Sequence, residues 1–211
     1  QALALLTHLV LERGHAPSRE TLAALFWPDQ PSHLAHQNLR QALLRLRRAL
    51  DDGEGGPSHL VADGQTVRFD PSNDSRVDVL EFEALLARVD AHRHRRLEAC
   101  EPCLELLVRA IALCRGPLLE GAAPSGVSAE YDDWLAIARE RLELRACRAM
   151  QAAAAGLLAA GRPEAARDAA ARLLALDPCS DAAERLLLRA LVRTEGRHRA
   201  RRVDDDPAGV D

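Results

Sequence analysis

Residues 32–50 constrain the fold most, because they repeat apolar side chains at a helical period within a strongly basic segment. The segment contains four arginines, two histidines and no acidic residue, although the whole chain has a formal net charge of −4. One face is apolar and predicted to be buried: Ala35, Leu39, Ala42, Leu43, Leu46 and Leu50. A positive face on one helix is typical of polyanion binding, although it also fits a solvated helix surface. The predicted DNA contacts on the other face are Gln37, Arg40, Gln41, Arg45, Arg47 and Arg48.

A predicted β-hairpin follows this helix. Two short segments of alternating polarity within residues 59–69 flank Asp63-Gly64, a pair typical of a two-residue type I′ turn. An isolated two-stranded hairpin is barely stable in water, so we expect Val67 and Phe69 to pack against the preceding helices. Arg68 then faces outward and joins the predicted DNA contacts.

Two shorter helices are predicted before the basic helix. Residues 2–12 and 18–26 have helical periodicity, and Ser18 and Ser32 are predicted to cap the helices that begin beside them. Three helices followed by a hairpin have the order of a winged helix-turn-helix, which we place at residues 1–72. The side chains of the first helix predicted to face inward are Leu3, Leu6, Leu9 and Val10.

The remaining chain is rich in Ala and Leu, a composition that favours helices. Gly161 and Gly196 lie 35 residues apart, each after an Ala- and Leu-rich segment, and this interval is close to the tetratricopeptide period. We therefore predict a mainly α protein, with a tetratricopeptide-like α-solenoid over residues 76–196 and a disordered tail over 197–211. The predicted helices of this part are 78–90, 97–114, 129–160, 163–176 and 180–194.

Five short motifs are spread over both predicted domains: Leu22–Asp29, Asn38–Leu50, Val77–Phe82, Arg115–Gly121 and Tyr131–Trp134. Together they resemble the SARP-type bacterial transcriptional activators, in which a bacterial transcriptional activator domain follows a winged helix. The resemblance implies a transcription activator that places helix 32–50 in the major groove of double-stranded DNA, with hairpin 59–69 as its wing. It also implies that the helical domain contacts RNA polymerase or a second copy of the chain. The family's winged helix begins with a small antiparallel sheet, which this chain is expected to lack.

One cluster of cysteine and histidine residues is spaced for metal binding. His92 and His94 precede Cys100 and Cys103, and two thiolates with two imidazoles could bind Zn²⁺ tetrahedrally. Two alternatives stay open: reduced cysteines that pack as small apolar residues, and cysteines that sense thiol oxidation. Apart from zinc at this cluster, no cofactor is expected.

The sequence contains no motif that indicates catalysis. A glycine-rich phosphate loop, a nucleophile elbow and a His-Glu-x-x-His motif are all absent, so neither an enzyme nor a small-molecule substrate is predicted. No signal peptide or long apolar run is found, and the expected location is the cytoplasm. Three functions therefore remain: a DNA-binding activator, an α-helical interaction scaffold without autonomous DNA binding, and a metal- or thiol-responsive regulator acting through the four clustered residues.

Overall fold

The computed structural model describes residues 1–52, 58–71, 75–122 and 126–204, with side chains as far as residue 196. Over these residues the chain is mainly helical, as predicted, and it contains one two-stranded antiparallel sheet. The elements in chain order are α1 (Ala2–Leu11), α2 (Arg19–Phe26), α3 (Ser32–Ala49), β1 (Leu60–Ala62), β2 (Val67–Phe69), α4 (Asp78–Ala91), a single 3₁₀ turn (Leu97–Ala99), α5 (Glu101–Leu113), α6 (Ala129–Ala159), α7 (Pro163–Leu176) and α8 (Asp181–Asp204).

The described chain forms two compact units. The first unit combines Gln1–Leu80 with Pro117–Glu140, and the second combines Glu81–Gly116 with the described residues from Arg141 onward. The predicted domains were each continuous in sequence, whereas both units are built from two separate stretches of chain.

The second stretch of the first unit, Pro117–Glu140, is held in that unit by hydrogen bonds between residues far apart in the sequence. The Ser128 hydroxyl donates to the carbonyl of Leu25 at 2.6 Å and accepts from the Tyr131 N–H at 3.0 Å, so it also caps α6. The Trp134 indole N–H donates to a carboxylate oxygen of Glu12 at 3.0 Å. Contacts of this kind have no local sequence signature, which is why the periodicity did not reveal the return of the chain.

Aromatic side chains form the centre of the first unit. The centroid of Phe26 lies 5.1 Å from that of Tyr131 and 6.0 Å from that of His8, and Trp134 lies 4.5 Å from His8. Burial lowers the pKa of His8, although the nearby Glu12 carboxylate acts in the opposite direction. The neutral imidazole is therefore favoured in this cluster.

The position of His8 sets the buried face of α1. Leu9 and Val10 are buried as predicted, but the prediction for Leu3 is wrong, because this side chain is 42% exposed. Leu5 is fully buried in its place, on the side of the helix that turns His8 toward the aromatic cluster. Apolar spacing alone could not indicate that a histidine belongs to the inner face.

The two predicted serine caps have different outcomes. Ser18 caps α2, since its hydroxyl oxygen accepts from the Thr21 N–H at 3.0 Å. The prediction for Ser32 is wrong: Pro31 is the N-cap of α3, and Ser32 is already helical. The carbonyl of Pro31 accepts from the Ala35 N–H at 3.0 Å, so the helix begins before the serine could cap it.

A Schellman motif ends α3. Asp51 has a φ of 55°, in the left-handed region that glycine usually fills at this position. The Asp51 N–H donates to the carbonyl of Arg48 at 3.4 Å, and the Asp52 N–H donates to that of Arg47 at 2.9 Å. The motif stops the helix and turns the chain sharply after it.

The side chain of Asp52 ties the end of α3 to the start of the hairpin. Its carboxylate accepts from the Ser58 hydroxyl at 2.9 Å, from the N–H groups of His59 and Leu60 at 2.9 and 3.0 Å, and from the His59 ring at 2.7 Å. The side chain is only 1% exposed. Burial by itself raises the pKa of this carboxyl, but the hydrogen bonds outweigh it and hold the pKa at about 2.

The hairpin turn differs from the predicted one. Ala62 pairs with Val67, so four residues rather than two form the loop between the strands. A type I′ turn needs positive φ at both central positions, and Gly64 is not among the described residues with positive φ. The Asp63 carboxylate instead accepts from the backbone N–H and the hydroxyl of Thr66, and the resulting hydrogen bonds lower the pKa of Asp63. This local network favours the longer loop.

The hairpin packs against the helices that precede it, as predicted. Val67 and Phe69 are buried. The segment before α2 pairs with the second strand, because the Val67 N–H donates to the carbonyl of Pro17 at 3.1 Å and the Arg19 N–H donates to that of Gln65 at 2.8 Å. The hairpin is therefore connected to two parts of the unit, the end of α3 and the start of α2.

Small residues line the helix contacts of the second unit. A Cβ atom at Gly156 of α6 would lie 2.9 Å from Leu104 Cδ1 of α5, so the two helices approach closely at that point. The Arg172 guanidinium donates to the carbonyls of Ile111 (2.6 Å) and Cys114. The buried alanines of this unit include Ala149, Ala153, Ala154, Ala166, Ala169, Ala170, Ala183 and Ala190.

The predicted helix 97–114 is interrupted at Cys100. This residue has extended backbone angles, φ −99° and ψ 98°, and it is the N-cap of α5. Pro102 lies in the first turn of α5, where its missing N–H leaves no hydrogen bond unmade. Leucine and cysteine periodicity continued through the break, so the pattern did not show it.

The last helix extends beyond its predicted end at residue 194. Helix α8 continues to Asp204, so residues 197–204 are helical where the disordered tail was predicted to begin. Four of the eight residues 197–204 are arginines, and arginine has a high helix propensity. Residues 205–211 of the predicted tail lie outside the described residues.

We predict that Asp52→Asn destabilises the protein by about 1–3 kcal/mol at neutral pH, because an amide NH₂ then faces N–H and O–H donors. The folded-state pKa of Asp52 is lowered, so its contribution is complete above about pH 5 and is lost as the pH falls toward about 2. Chemical denaturation between pH 2 and 7 should show a weaker pH dependence for Asp52→Asn than for the wild type.

Asp51→Asn is the matched control for this prediction. Asp51 is the exposed neighbour, and asparagine tolerates its left-handed backbone angles. If the two variants have the same stability at every pH, the role assigned to the Asp52 carboxylate is incorrect.

Candidate nucleic-acid interface and metal-ligand cluster

The buried stripe of α3 fixes the face that this helix presents to solvent. Five of its six predicted core residues are buried, and Leu50 is half-buried. The opposite face carries the side chains predicted to contact DNA. These are Gln37, Arg40, Gln41, Arg45 and Arg48, which are exposed, and Arg47, which is half-buried.

Within the described part of the chain, acidic groups do not neutralise the arginines of this face. Across residues 1–52, 58–71, 75–122 and 126–196, no carboxylate lies within 4.0 Å of the guanidinium groups of Arg40, Arg45, Arg47 or Arg48. The first turn of α3 has no acidic residue, and its last turn has two arginines. These guanidinium groups can therefore donate to phosphate oxygens or to acceptors on base edges.

Two leucines interrupt the polar character of the α3 surface. Leu34 and Leu44 are each 42% exposed. Single exposed leucines are common on protein surfaces and do not by themselves indicate a site. Leu44 lies between the glutamines and arginines of the basic face, where an apolar side chain can contact a thymine methyl group.

A cleft of about 420 Å³ lies between α3 and the loop of the hairpin. Arg40 and His36 line it from α3, and Gln65 lines it from the hairpin loop. Arg19 and Glu20, at the start of α2, complete its polar rim. The basic face of α3 and the hairpin loop thus border one continuous surface.

Sequence reasoning missed the part that Arg19 and His36 play in this surface. The Arg19 guanidinium donates to the carbonyl of Asp63 at 3.2 and 3.3 Å and so fixes the hairpin loop beside α2. This contact joins residues 44 positions apart, and nothing in the local pattern indicates it. The role of His36 could have been predicted, because it belongs to the segment without acidic residues. It was not assigned to the basic face because it lies at the edge of the apolar stripe.

Arg68 has a carboxylate partner directly after its own strand. Its guanidinium donates to the Asp70 carboxylate at 3.1 Å, and the Arg68 side chain is 45% exposed. The ion pair reduces the positive charge that the hairpin can offer to an anion, although exposed pairs of this kind are weak. Arg68 is therefore a less favourable anion ligand than the arginines of α3.

A second cluster of functional groups lies in the second unit. His92, His94, Cys100 and Cys103 bring one ligand atom each to within 4.8 Å of one another. The Nδ1 atom of His92 lies 3.1 Å from Cys103 Sγ and 3.4 Å from Cys100 Sγ, and His94 Nδ1 lies 3.7 Å from Cys103 Sγ. All four residues predicted from the sequence spacing are thus brought together.

The cluster joins the end of α4 to the beginning of α5. His92 follows the last residue of α4, Cys100 is the N-cap of α5, and Cys103 lies in its first turn. Cys103 is buried, Cys100 is half-buried and the two histidines are exposed. Burial, together with the neighbouring Cys100, raises the pKa of the Cys103 thiol to about 11. Two sulfur and two nitrogen donors are a ligand set that could hold a tetrahedral metal ion.

Comparison with known families matches residues 77–203 to the bacterial transcriptional activator domain. No curated protein matches the chain. Across the described residues, every helix is too short or too polar to span a bilayer. The family match begins after α3 and the hairpin, covers more than half of the chain and agrees with three of the five sequence motifs. This chain belongs to the bacterial transcriptional activator domain family.

Proposed function

We propose that the protein is a sequence-specific, DNA-binding transcriptional activator of the SARP type. Its helical domain belongs to a family of transcriptional activators rather than enzymes. The observation that carries the proposal is the exposed face of α3, which bears four arginines without a carboxylate partner among the described residues. With DNA as its ligand, the protein acts in the bacterial cytoplasm.

In the proposed complex, α3 is the recognition helix of a winged helix-turn-helix. Its 18 residues extend about 27 Å. The major groove of B-form DNA is wide enough to admit an α-helix. Gln37 and Gln41 offer amide groups that match adenine edges. The arginines Arg40, Arg45, Arg47 and Arg48 donate to guanine edges or to phosphates, which supply most of the affinity.

The hairpin serves as the wing in this proposal. The contacts that support it are the Asp52 carboxylate, which holds β1 to the end of α3, and Arg19, which holds the hairpin loop to α2. Both contacts keep the exposed side of the hairpin next to the basic face of α3. Arg68 then reaches the flanking DNA backbone, in competition with its contact to Asp70.

The second unit is proposed to provide partner contacts as a tetratricopeptide-like array. Its alanine-lined helix contacts and the glycine contact between α5 and α6 are typical of stacked helix pairs. RNA polymerase or a second copy of the chain is the proposed protein partner. The competing function is an α-helical scaffold that uses the same helices without autonomous DNA binding.

We predict that the chain binds duplex DNA with a steep salt dependence, measured by fluorescence anisotropy on a pooled random duplex. Each neutralised phosphate contributes about 0.9 to the slope of log K against log salt concentration. Arg45→Ala/Arg48→Ala should weaken binding by about 10-fold or more and lower the slope by about 1–2.

The matched control is Arg185→Ala/Arg189→Ala, which removes two exposed arginines from α8 in the second unit. It carries the same charge change and should leave the affinity and the slope close to wild type. Equal losses in both double variants would indicate a general charge effect rather than recognition by α3. A folded wild type that does not bind DNA would favour the scaffold function.

A separate prediction concerns the wing. Asp70→Asn removes the carboxylate partner of Arg68 with little change in shape, so DNA binding should strengthen by a few-fold, about 2–5-fold at low salt. Arg68→Ala should weaken binding by a similar factor. When Arg68 is already replaced, as in Arg68→Ala/Asp70→Asn, the Asp70→Asn change should increase DNA affinity less than it does in the wild type. Unchanged affinity in both single variants would show that the hairpin does not contact DNA.

A further inference from the structure

We propose that His92, His94, Cys100 and Cys103 bind one Zn²⁺ ion in a closed, tetrahedral structural site. The inference is independent of DNA binding, since all four residues belong to the second unit. It rests on the distances among the four ligand atoms, on the chemistry of the donors and on the place of the cluster between two helices.

Three sulfur–nitrogen distances in the cluster lie close to those around a tetrahedral zinc ion. With Zn–S near 2.3 Å and Zn–N near 2.0–2.1 Å, tetrahedral geometry places neighbouring ligand atoms about 3.3–3.8 Å apart. The S···N distances in the structure are 3.1 Å and 3.4 Å from His92, and 3.7 Å from His94. These three distances need to change by a few tenths of an ångström at most, whereas the widest separation among the four ligand atoms, up to 4.8 Å, would have to shorten by about 1 Å when zinc binds.

Hydrogen bonds between histidine and cysteine explain this arrangement less well. Both imidazole rings direct Nδ1 toward the same sulfur atom, Cys103 Sγ, and a thiol is a weak hydrogen-bond acceptor. His92 and His94 lie on an exposed segment, whose ordering costs conformational entropy. A shared metal ion supplies the attraction that two weak contacts to sulfur do not.

The donor set favours zinc over Mg²⁺ and Ca²⁺. Two cysteines and two histidines provide soft sulfur and borderline nitrogen ligands, whereas Mg²⁺ and Ca²⁺ require oxygen ligands. Two thiolates neutralise the charge of Zn²⁺. The buried Cys103 can therefore bind the ion without placing a net charge in the interior. Four protein ligands fill a tetrahedral site and leave no position for water, which is typical of structural zinc rather than catalytic zinc.

The ion would fasten the beginning of α5 to the end of α4. Helix α5 has no side-chain cap, and the extended Cys100 is its first flanking residue. Bonds from zinc to Cys100 and Cys103 would fix this first turn, and bonds to His92 and His94 would fix the segment that follows α4. The adjacent Leu104 packs closely on Gly156 of α6, so the site would also hold this helix contact in place.

The test measures zinc retained by the full chain after purification with Zn²⁺ and a phosphine reductant, followed by gel filtration. We expect about one equivalent of zinc per chain in the wild type and less than about a tenth in Cys100→Ser/Cys103→Ser. Co²⁺ in place of Zn²⁺ should give the intense visible bands of a tetrahedral thiolate site in the wild type only. His92→Ala/His94→Ala should weaken or abolish both signals.

Cys147→Ser/Cys179→Ser is the matched control, because it also removes two thiols from the second unit but none from the cluster. It should retain zinc at the wild-type level. Circular dichroism will show whether each variant folds. If Cys100→Ser/Cys103→Ser does not fold, thiol labelling of the wild type tests the zinc site instead. Zinc should protect two of the five thiols from alkylation, and a chelator should expose them.

Three results would overturn the proposal. One is a reduced, folded wild type that retains no zinc after exposure to Zn²⁺. Another is equal zinc retention in the wild type and Cys100→Ser/Cys103→Ser. The third is a wild type with two missing thiols and no metal, which would assign Cys100 and Cys103 to a disulfide instead.

Discussion

The buried carboxylate of Asp52 is the interaction on which the candidate DNA interface depends. The residue ends the Schellman motif of α3 with its backbone and binds the first residues of the hairpin with its side chain. A two-stranded hairpin has little stability of its own, so its orientation comes from such contacts. Arg19 fixes the other end of the hairpin through the carbonyl of Asp63. Because both ends of the hairpin are attached, its orientation relative to the exposed face of α3 is fixed.

Features set by neighbouring residues could be predicted from the sequence. The apolar period of α3 gave its buried stripe, and the hydroxyl of Ser18 gave the start of α2. Features set by distant contacts could not. The burial of His8 depends on Phe26 and Trp134, and α1 consequently turns Leu3 outward. The return of residues 117–140 to the first unit depends on similar long-range contacts.

In the candidate sites, too, some features could be predicted from neighbouring residues and others could not. The four possible metal ligands lie within twelve consecutive positions, and the sequence placed them together. The sequence did not predict the break at Cys100, which makes this residue the N-cap of α5. In the hairpin, Asp63-Gly64 indicated a two-residue turn, but hydrogen bonds to the Asp63 side chain favour a four-residue loop. The cleft beside Arg40 also depends on the longer loop, since Gln65 lines it.

The net charge of −4 is a poor guide to whether this protein binds DNA. Salt at physiological concentration screens exposed charges beyond about 8 Å, so a bound phosphate responds mainly to the groups around it. Near α3 those groups are arginines that have no carboxylate partner among the described residues, whereas Asp70 partly neutralises the arginine of the hairpin. The affinity of the proposed complex should therefore depend on acids that border the interface, such as Glu20 in the cleft and Asp70 beside the hairpin. Acids elsewhere in the chain should affect solubility more than DNA binding.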